Sequence, residues 1–338
     1  MAAGKHPTIH DVAERAGVSK SLVSLVLRGA SNISDAKKAA VIKAAADLGY
    51  RPNLAARSLV QRRSHIIGVL VSDLHNPFFH ETVDGIYAAA LEADYRPLLT
   101  SGQLAVAREV LGIETLLELR VDGMILTSPR VSLAKVNEVA MTVPTVAVGI
   151  TSRSDRFDTI AGDERIGTSL VVDHLVELGH RRIAHIDGAN GAGARPRRAQ
   201  YERAMLRHGL GDHIQIVHGD FTEQGGIEGM TKLLRLKPLP TAVFMANDFS
   251  AMGGLQVLDD AGLRVPEDIS LVGYDNLEAV EYHRISLTTV DQPRFNMGHQ
   301  AVTLLLERLE RHRVEAKHVV LPPKLVVRAT AGPPRSRE

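Results

Sequence analysis

The sequence predicts an N-terminal all-α helix-turn-helix head followed by an α/β body of two doubly wound parallel-sheet subdomains. Three observations carry that prediction. Two short amphipathic segments are joined by a glycine turn within the first 27 residues. Strand–helix alternation sets in at about residue 66. Charge separates the two regions: residues 1–65 hold 11 Lys and Arg against 4 Asp and Glu, a net +7, and the remainder holds 29 against 35, a net −6. A basic head on a mildly acidic body suits a small nucleic-acid-binding module attached to a larger sensor.

The head is read from its caps and stripes. Thr8 can cap a first helix in which Val12 and Ala13 face inward and Ala16 packs closely, and Gly17 supplies the turn. Ser19 caps a second helix whose buried stripe is Val23, Val26 and Leu27. Ser34 caps a third, Asp35 to Leu48, with Gly49 past its end. Two short helices around a glycine turn form a motif whose second helix fits the DNA major groove.

The body is read from alternation. Strands are expected at Ile66–Val71, Pro97–Leu99, Gly123–Leu126 and Thr145–Val148, with helices at about Phe78–Ala93 and Ala105–Leu119. A second set follows: helices near Ile166–Leu178, Arg197–His208, Glu223–Leu234 and Phe249–Ala261, strands at Ile183–Ile186, Ile214–Val217, Ala242–Met245 and Ser270–Tyr274. Such alternation makes parallel sheets, and ligands bind at the carboxyl ends of their strands, so a cleft between the subdomains is the expected site. Val319–Arg328 reads as a strand pair broken by Pro322 and Pro323. The expected division is 1–52 head, 53–63 linker, 64–330 α/β body with its cleft, and 331–338 disordered tail.

Composition narrows the function classes. A length of 338 residues implies two or three domains, and 44% hydrophobic residues with 4% aromatics and no Trp imply an aliphatic core. The absence of cysteine excludes disulfides, thiolate metal sites and thiol catalysis. No apolar run approaches the ~20 residues of a membrane span. Met1–Asp11 contains no apolar secretion core, so a cytoplasmic location is expected. The 15 histidines are scattered without ligand spacing, and no metal or cofactor is expected.

Several spaced motifs resemble the LacI/GalR family of bacterial repressors. They are Thr8–Ser19 (TIHDVAERAGVS), Asp47–Asn53 (DLGYRPN), Ala56-Arg57-Ser58-Leu59, Asp73–Phe79 (DLHNPFF), Glu177–Ala184 (ELGHRRIA), Ala246-Asn247-Asp248, Val265–Asp275 (VPEDISLVGYD) and Leu287–Pro293 (LTTVDQP). The resemblance covers roughly residues 8–330. It implies a core like the periplasmic sugar-binding proteins, made dimeric, under a DNA-binding head. It implies a near-palindromic operator and a small-molecule effector, a sugar or sugar derivative.

Residue roles follow from the same resemblance. Ser19, Lys20, Ser21 and Leu25 fall on the recognition helix, where Lys20 can donate to guanine and Leu25 stands in place of the usual Arg. Leu25 either touches a thymine methyl or extends the core stripe. Thr8, Ser24, Arg28 and Asn32 suit phosphate contacts, which position without specifying. Asn53–Gln61 resembles the hinge helix, with Leu59 as the minor-groove wedge and Ala56 and Arg57 beside it; nine residues are too few for a stable helix alone. Asp73 and Asn76 belong to the effector loop. Asn76, Phe78, Phe79, Arg197, Phe221, Asn247, Asp275 and Gln292 match pocket positions, with rings to stack on a sugar and polar groups to bind its hydroxyls. Taken singly, Phe78 reads as core, Asn76 before Pro77 as a turn, and Asp275 as a loop cap. Two departures matter. Gly149 stands where several members place Asp, and Ser128-Pro129-Arg130 lacks an acidic residue. Arg130 and Arg153 therefore leave a sugar acid or phosphate open as the ligand.

Two other classes are to be weighed. The glycine run Gly188–Gly193 follows a strand, but its spacing reverses the G-x-G-x-x-G dinucleotide fingerprint, and a nicotinamide enzyme leaves the basic head unexplained. A DNA-binding protein without a ligand is the other; it would give no thermal-shift response to metabolites.

Overall fold

The computed structural model describes residues 7–27, 30, 32–51, 63–311 and 313–335. The chain divides into two compact units, Met1–Ser64 and His65–Glu338. Each is described by itself.

The first unit contains α1 (Ile9–Ala16), α2 (Lys20–Leu27) and α3 (Asp35–Leu48). Thr8 precedes α1, and both its backbone N–H and its hydroxyl donate to Asp11, at 2.7 and 2.8 Å. The Ser19 hydroxyl accepts from the Leu22 N–H at 3.2 Å and caps α2. Val12, Ala13, Val23, Val41, Ala44 and Ala45 are buried together, with Val26, Leu27 and Leu48 packed against them. Small alanines let three short helices approach closely, so the apolar stripes meet in one core.

The second unit contains two parallel sheets. The first has the order β11-β5-β4-β3-β1-β2, from β1 (Ile66–Val71), β2 (Arg96–Ser101), β3 (Gly123–Thr127), β4 (Thr145–Val148), β5 (Asp158–Gly162) and β11 (His318–Leu321). The helices α4 (Phe78–Glu92), α5 (Val106–Glu118) and α6 (Leu133–Thr142) connect its strands. The second has the order β7-β6-β8-β9, from β6 (Ile183–Asp187), β7 (Gln215–His218), β8 (Ala242–Met245) and β9 (Ser270–Val272). Its helices are α7 (Glu164–Glu177), α8 (Ala194–Arg207), α9 (Glu223–Leu234) and α10 (Asp248–Asp260). The inner strands are buried and largely apolar, as two-sided parallel sheets require, with His185 and Asp187 as buried exceptions in β6.

The chain crosses between subdomains three times: after β5, after β10 (Thr289–Asp291), and between β11 and β12 (Lys324–Val326). Between the last two crossings α11 (Arg294–Glu310) returns to pack on α4 and the first sheet.

Three expectations are corrected. Residues 319–328 do not pair with one another: β11 joins β5 in parallel at the edge of the first sheet, and β12 pairs with β10. Residues 331–335 are not a disordered tail. The Gly332 carbonyl lies 2.8 Å from His180 Nε2 and accepts from the Ser270 hydroxyl at 2.9 Å, while Arg335 donates to Asp268 at 2.7 Å. The elements α6, β5 and α11 had no counterpart in the strand–helix reading.

A fully buried carboxylate ties the returning segment down. Asp158 of β5 accepts from Arg308 at 2.9 and 3.0 Å, from Arg313 at 2.5 and 3.1 Å, and from the Lys317 N–H at 2.8 Å. Burial acts to raise its pKa, but the Arg313 and Arg308 bonds outweigh it and hold the carboxyl below its ordinary value. Asp158→Ala strands two arginines and is expected to cost about 3 kcal/mol in urea unfolding. Because the folded pKa is depressed, this stabilisation is present above the ordinary carboxylate range. It is lost as pH falls, so the variant and the natural protein converge in acid.

Candidate functional site

Two surfaces follow from the residues singled out in the sequence. On the first unit, Thr8, Ser19, Lys20, Ser21, Leu25 and Asn32 are exposed and Ser24 is partly so. Leu25 is 40% exposed, so it does not extend the core stripe. Lys20 Nζ lies 2.7 Å from His10 Nε2. Arg28, Ala56, Arg57 and Leu59 lie outside the described residues.

On the second unit a cleft of about 800 Å³ opens between the two sheets. It is lined by the loops that leave the carboxyl ends of the strands, where parallel sheets place their ligands. Asp73, Asn76, Phe78 and Phe79 line it from the loop after β1 and the start of α4. Arg197, Phe221, Asn247, Asp275 and Gln292 line it from the other side and the crossings. The structure thus brings all nine body residues together across more than two hundred positions of sequence. Arg130 and Gly149 line the same cleft, whereas Arg153 does not.

The first wall is fixed by local bonds. Asp73 Oδ1 accepts from the His75 N–H at 3.0 Å and lies 3.1 Å from its ring Nδ1. Asn76 Oδ1 accepts from the Phe78 N–H at 3.0 Å. The Phe78 and Phe79 rings meet edge to face at 5.2 Å, and both are nearly buried. Glu109 of α5, fully buried, accepts from the Arg130 and Val131 N–H groups at 2.8 and 2.9 Å and from the Ser72 hydroxyl at 3.1 Å. One buried carboxylate therefore sets two cleft loops, and burial raises its pKa against those bonds.

The second wall centres on Arg197, which is 3% exposed. It donates to both Glu164 oxygens at 2.8 Å and to the Ala246 carbonyl. Its guanidinium carbon lies 3.6 Å from the Tyr274 ring centroid and 5.6 Å from that of Phe221. The Phe221 ring needs the glycine run. A Cβ at Gly188 or Gly191 would approach ring atoms to 2.4 or 2.5 Å, so these glycines make room for an aromatic wall. Asn247 caps α10 by accepting from the Ser250 N–H at 2.9 Å, and its amide donates to the Phe221 carbonyl at 3.3 Å.

Asp275 is the strained member. Its backbone sits at φ 120° and Asn276 follows at φ 59°. Gln292 Nε2 donates to Asp275 Oδ1 at 2.7 Å. Burial pushes the Asp275 carboxyl up to about 7, with Arg197 pulling it down and Asp248 pushing it further up. Asp248 is itself raised to about 6 by burial, although the Thr289 hydroxyl and Leu277 N–H donate to it at 2.6 and 2.8 Å. Two neighbouring buried acids, one facing the cleft, make a ready acceptor for hydroxyl groups.

The sequence reading gave no role to Glu109, Glu164, Tyr274 and Asp248. Asp248 and Tyr274 lie in the quoted motifs beside Asn247 and Asp275, whereas Glu109 and Glu164 carry no motif and act on the cleft from other elements. Among the described residues there is no cluster that could hold a metal ion, and no helix is long and apolar enough to cross a membrane.

Comparison with known proteins matches both units of the chain. Residues 8–53 match the model for bacterial regulatory proteins of the lacI family, and residues 172–331 match the periplasmic binding protein-like domain. The ribose operon repressor of Escherichia coli (strain K12) is 35% identical over 329 residues, covering 96% of this chain and 99% of the relative. The lac repressor dimer bound to operator and an anti-inducer superposes with a TM-score of 0.86 at 31% identity, covering 96% of this chain and 99% of that one. A LacI family regulator from Enterococcus faecium with bound ribose gives 0.72 at 30% identity, covering 79% and 99%.

The raised acids predict a measurable cost. A group whose folded pKa is raised stabilises the fold below its ordinary pKa, and that contribution is lost as pH rises through the folded value. Asp275→Asn is therefore expected to stabilise the ligand-free protein at pH 8 by on the order of 1 kcal/mol. The advantage should shrink toward pH 5. Paired urea titrations of natural and variant protein at pH 5, 6.5 and 8 read this, and a difference that does not grow with pH refutes the assignment.

Proposed function

The chain belongs to the LacI family of bacterial regulatory proteins, and on that premise we propose how its parts divide the work. It is a ligand-responsive, DNA-binding transcriptional repressor. The head reads one operator half-site. Lys20, Ser21 and Leu25 meet base edges, with Ser19 beside them, and Thr8, Ser24, Arg28 and Asn32 hold phosphates. Ala56, Arg57 and Leu59 form the hinge, with Leu59 as the wedge that opens a minor-groove step. Two copies related by a twofold axis match a near-palindromic operator, and the protein works in the cytoplasm as a regulator rather than an enzyme.

The effector is a pentose such as ribose. The observation that carries this is the convergence of Phe78, Phe79 and Phe221 with Asn76, Arg197, Asn247, Asp275 and Gln292 on one cleft. The rings offer apolar faces; the polar groups replace the hydration of sugar hydroxyls. The ribose named for the relative and found in the E. faecium structure supports it.

One observation favours a second reading, a sugar bearing an acid or phosphate. Arg130 lines the cleft, and the Gly149 position offers no carboxylate. A Cβ there would lie 2.6 Å from the Ser128 hydroxyl at a φ of 79°, so an acidic side chain does not fit this backbone. Calorimetry with D-ribose and D-ribose 5-phosphate separates the two readings.

Three outcomes are expected. D-ribose should raise the thermal midpoint of the full chain and change its gel-shift affinity for its selected operator; no response to ribose or to any other sugar would sink the sensor reading. Asp275→Asn should weaken ribose binding by about 2 kcal/mol in calorimetry while operator binding of the free protein holds. Leu59→Ala should weaken specific operator binding by about 1–3 kcal/mol with non-specific DNA affinity little changed, because the latter rests on phosphate contacts. Equal operator affinity for natural and Leu59→Ala protein, measured at one salt concentration, would mean a passive linker.

A further inference from the structure

The helices α4 and α11 cross with their backbones in contact. A Cβ on Gly85 would lie 2.1 Å from the Phe295 carbonyl oxygen, and one on Gly298 would lie 1.9 Å from that of Thr82. Neither helix can shift along the other without a clash, so the pair moves as one body with the first subdomain. Glu81 stands four residues before Gly85, and Arg294 four before Gly298. The two side chains meet beside the crossing: Arg294 Nη2 donates to Glu81 Oε1 at 2.6 Å.

The same Arg294 nitrogen donates to the Asn276 carbonyl at 2.7 Å. Asn276 belongs to the loop after β9, which is tied to the second subdomain through the buried carboxylate of Asp248. One guanidinium is thus gripped by the first subdomain and grips the second. The peptide that it holds follows Asp275, the strained residue facing the cleft. Arg294 is 3% exposed, and its Nε is buried with no hydrogen-bond partner among the described residues. Burying an arginine with one donor unpaired is costly. An apolar residue at this position would avoid that cost, so core packing alone does not account for it.

We infer that Arg294 is a positioning residue, a strut through which displacement of the Asp275–Asn276 turn is delivered to the α4–α11 pair. The Glu81 bond sets the angle of the guanidinium, and the Asn276 bond makes contact with the turn. Because α4 begins with Phe78 and Phe79, the strut links the two walls of the cleft behind the ligand. The inference rests on the cleft reading above only for what pushes on Asp275.

The test uses the full chain, which contains no cysteine, so a pair of introduced cysteines can be labelled cleanly. Leu133→Cys in the first subdomain and Leu206→Cys in the second replace side chains 48% and 61% exposed. Labelled chains are diluted into unlabelled protein, and single-molecule energy transfer reads the intrachain distance. Without ligand, the background protein should give one narrow population. Arg294→Met and Glu81→Ala should each broaden or shift it, and Glu81→Gln, which keeps an acceptor, should shift it less than Glu81→Ala. Identical distributions in the background protein, Arg294→Met and Glu81→Ala overturn the strut. Should Arg294→Met fail to fold, Glu81→Ala, at a half-exposed side chain, decides alone. In a second arm, D-ribose should move the background population, and strut loss should shrink that movement several-fold. If ribose moves nothing, the ribose reading fails, and the ligand-free comparison still decides the strut.

Discussion

The Arg197–Glu164 pair is the contact on which the second wall of the cleft depends. The guanidinium is buried, and each of its three nitrogens donates: two to Glu164 at the start of α7 and one to the Ala246 carbonyl just after β8. Its face lies over Tyr274, just beyond β9. One side chain from α8 therefore fixes the relation of three further elements at their cleft ends. Desolvating an arginine is expensive, and only a bidentate carboxylate with an aromatic face repays it. Removing Glu164 would leave an unpaired buried charge, so the pair is tied to folding.

The neighbouring acids are arranged in the opposite sense. Asp275 and Asp248 are buried without a bidentate cation, and both carboxyls are pushed up toward neutral pH. Asp275 also sits at a backbone angle that side-chain-bearing residues rarely adopt. Backbone strain is thus stored at a residue that faces the cleft and has one side-chain donor, Gln292. The first wall has the same character on a smaller scale: Glu109 is spent on holding two loops, which leaves their outward atoms available to the cleft.

Much of this was legible in the sequence, and the failures have physical causes. The head was readable to the residue because caps, turn and stripe are local. Most inner strands were readable because two-sided burial favours apolar residues. β5 was missed because its sequence, Asp158–Gly162, begins with a charge; that charge is buried only because Arg308 and Arg313 arrive some 150 residues later. α11 was missed although Met297, Val302, Leu304 and Leu305 lie on its buried face; Arg294, Gly298 and Ala301 interrupt that stripe where the helix crosses α4. The terminal segment looked disordered because Pro and Gly suggest a tail, yet its backbone completes the bonding of His180 and Ser270. The nine cleft residues were named from a family resemblance. Of their supporting residues, Asp248 and Tyr274 fell inside those motifs without a role being read from them, and Glu109 and Glu164 carry no motif at all.

The division into two units constrains how a signal can pass. Each unit has its own core, so neither needs the other to hold its shape. The head is small, with a core built from Val and Ala, and such a core is marginal by itself. In a ligand-responsive DNA-binding protein, linkage makes the coupling mutual: DNA must alter effector affinity by the same factor that the effector alters DNA affinity. The body side of that linkage needs the two subdomains to move as discrete pieces. The close helix crossing at Gly85 and Gly298 and the buried Asp158–Arg308 pair brace the first subdomain, and the buried Arg197–Glu164 pair braces the second.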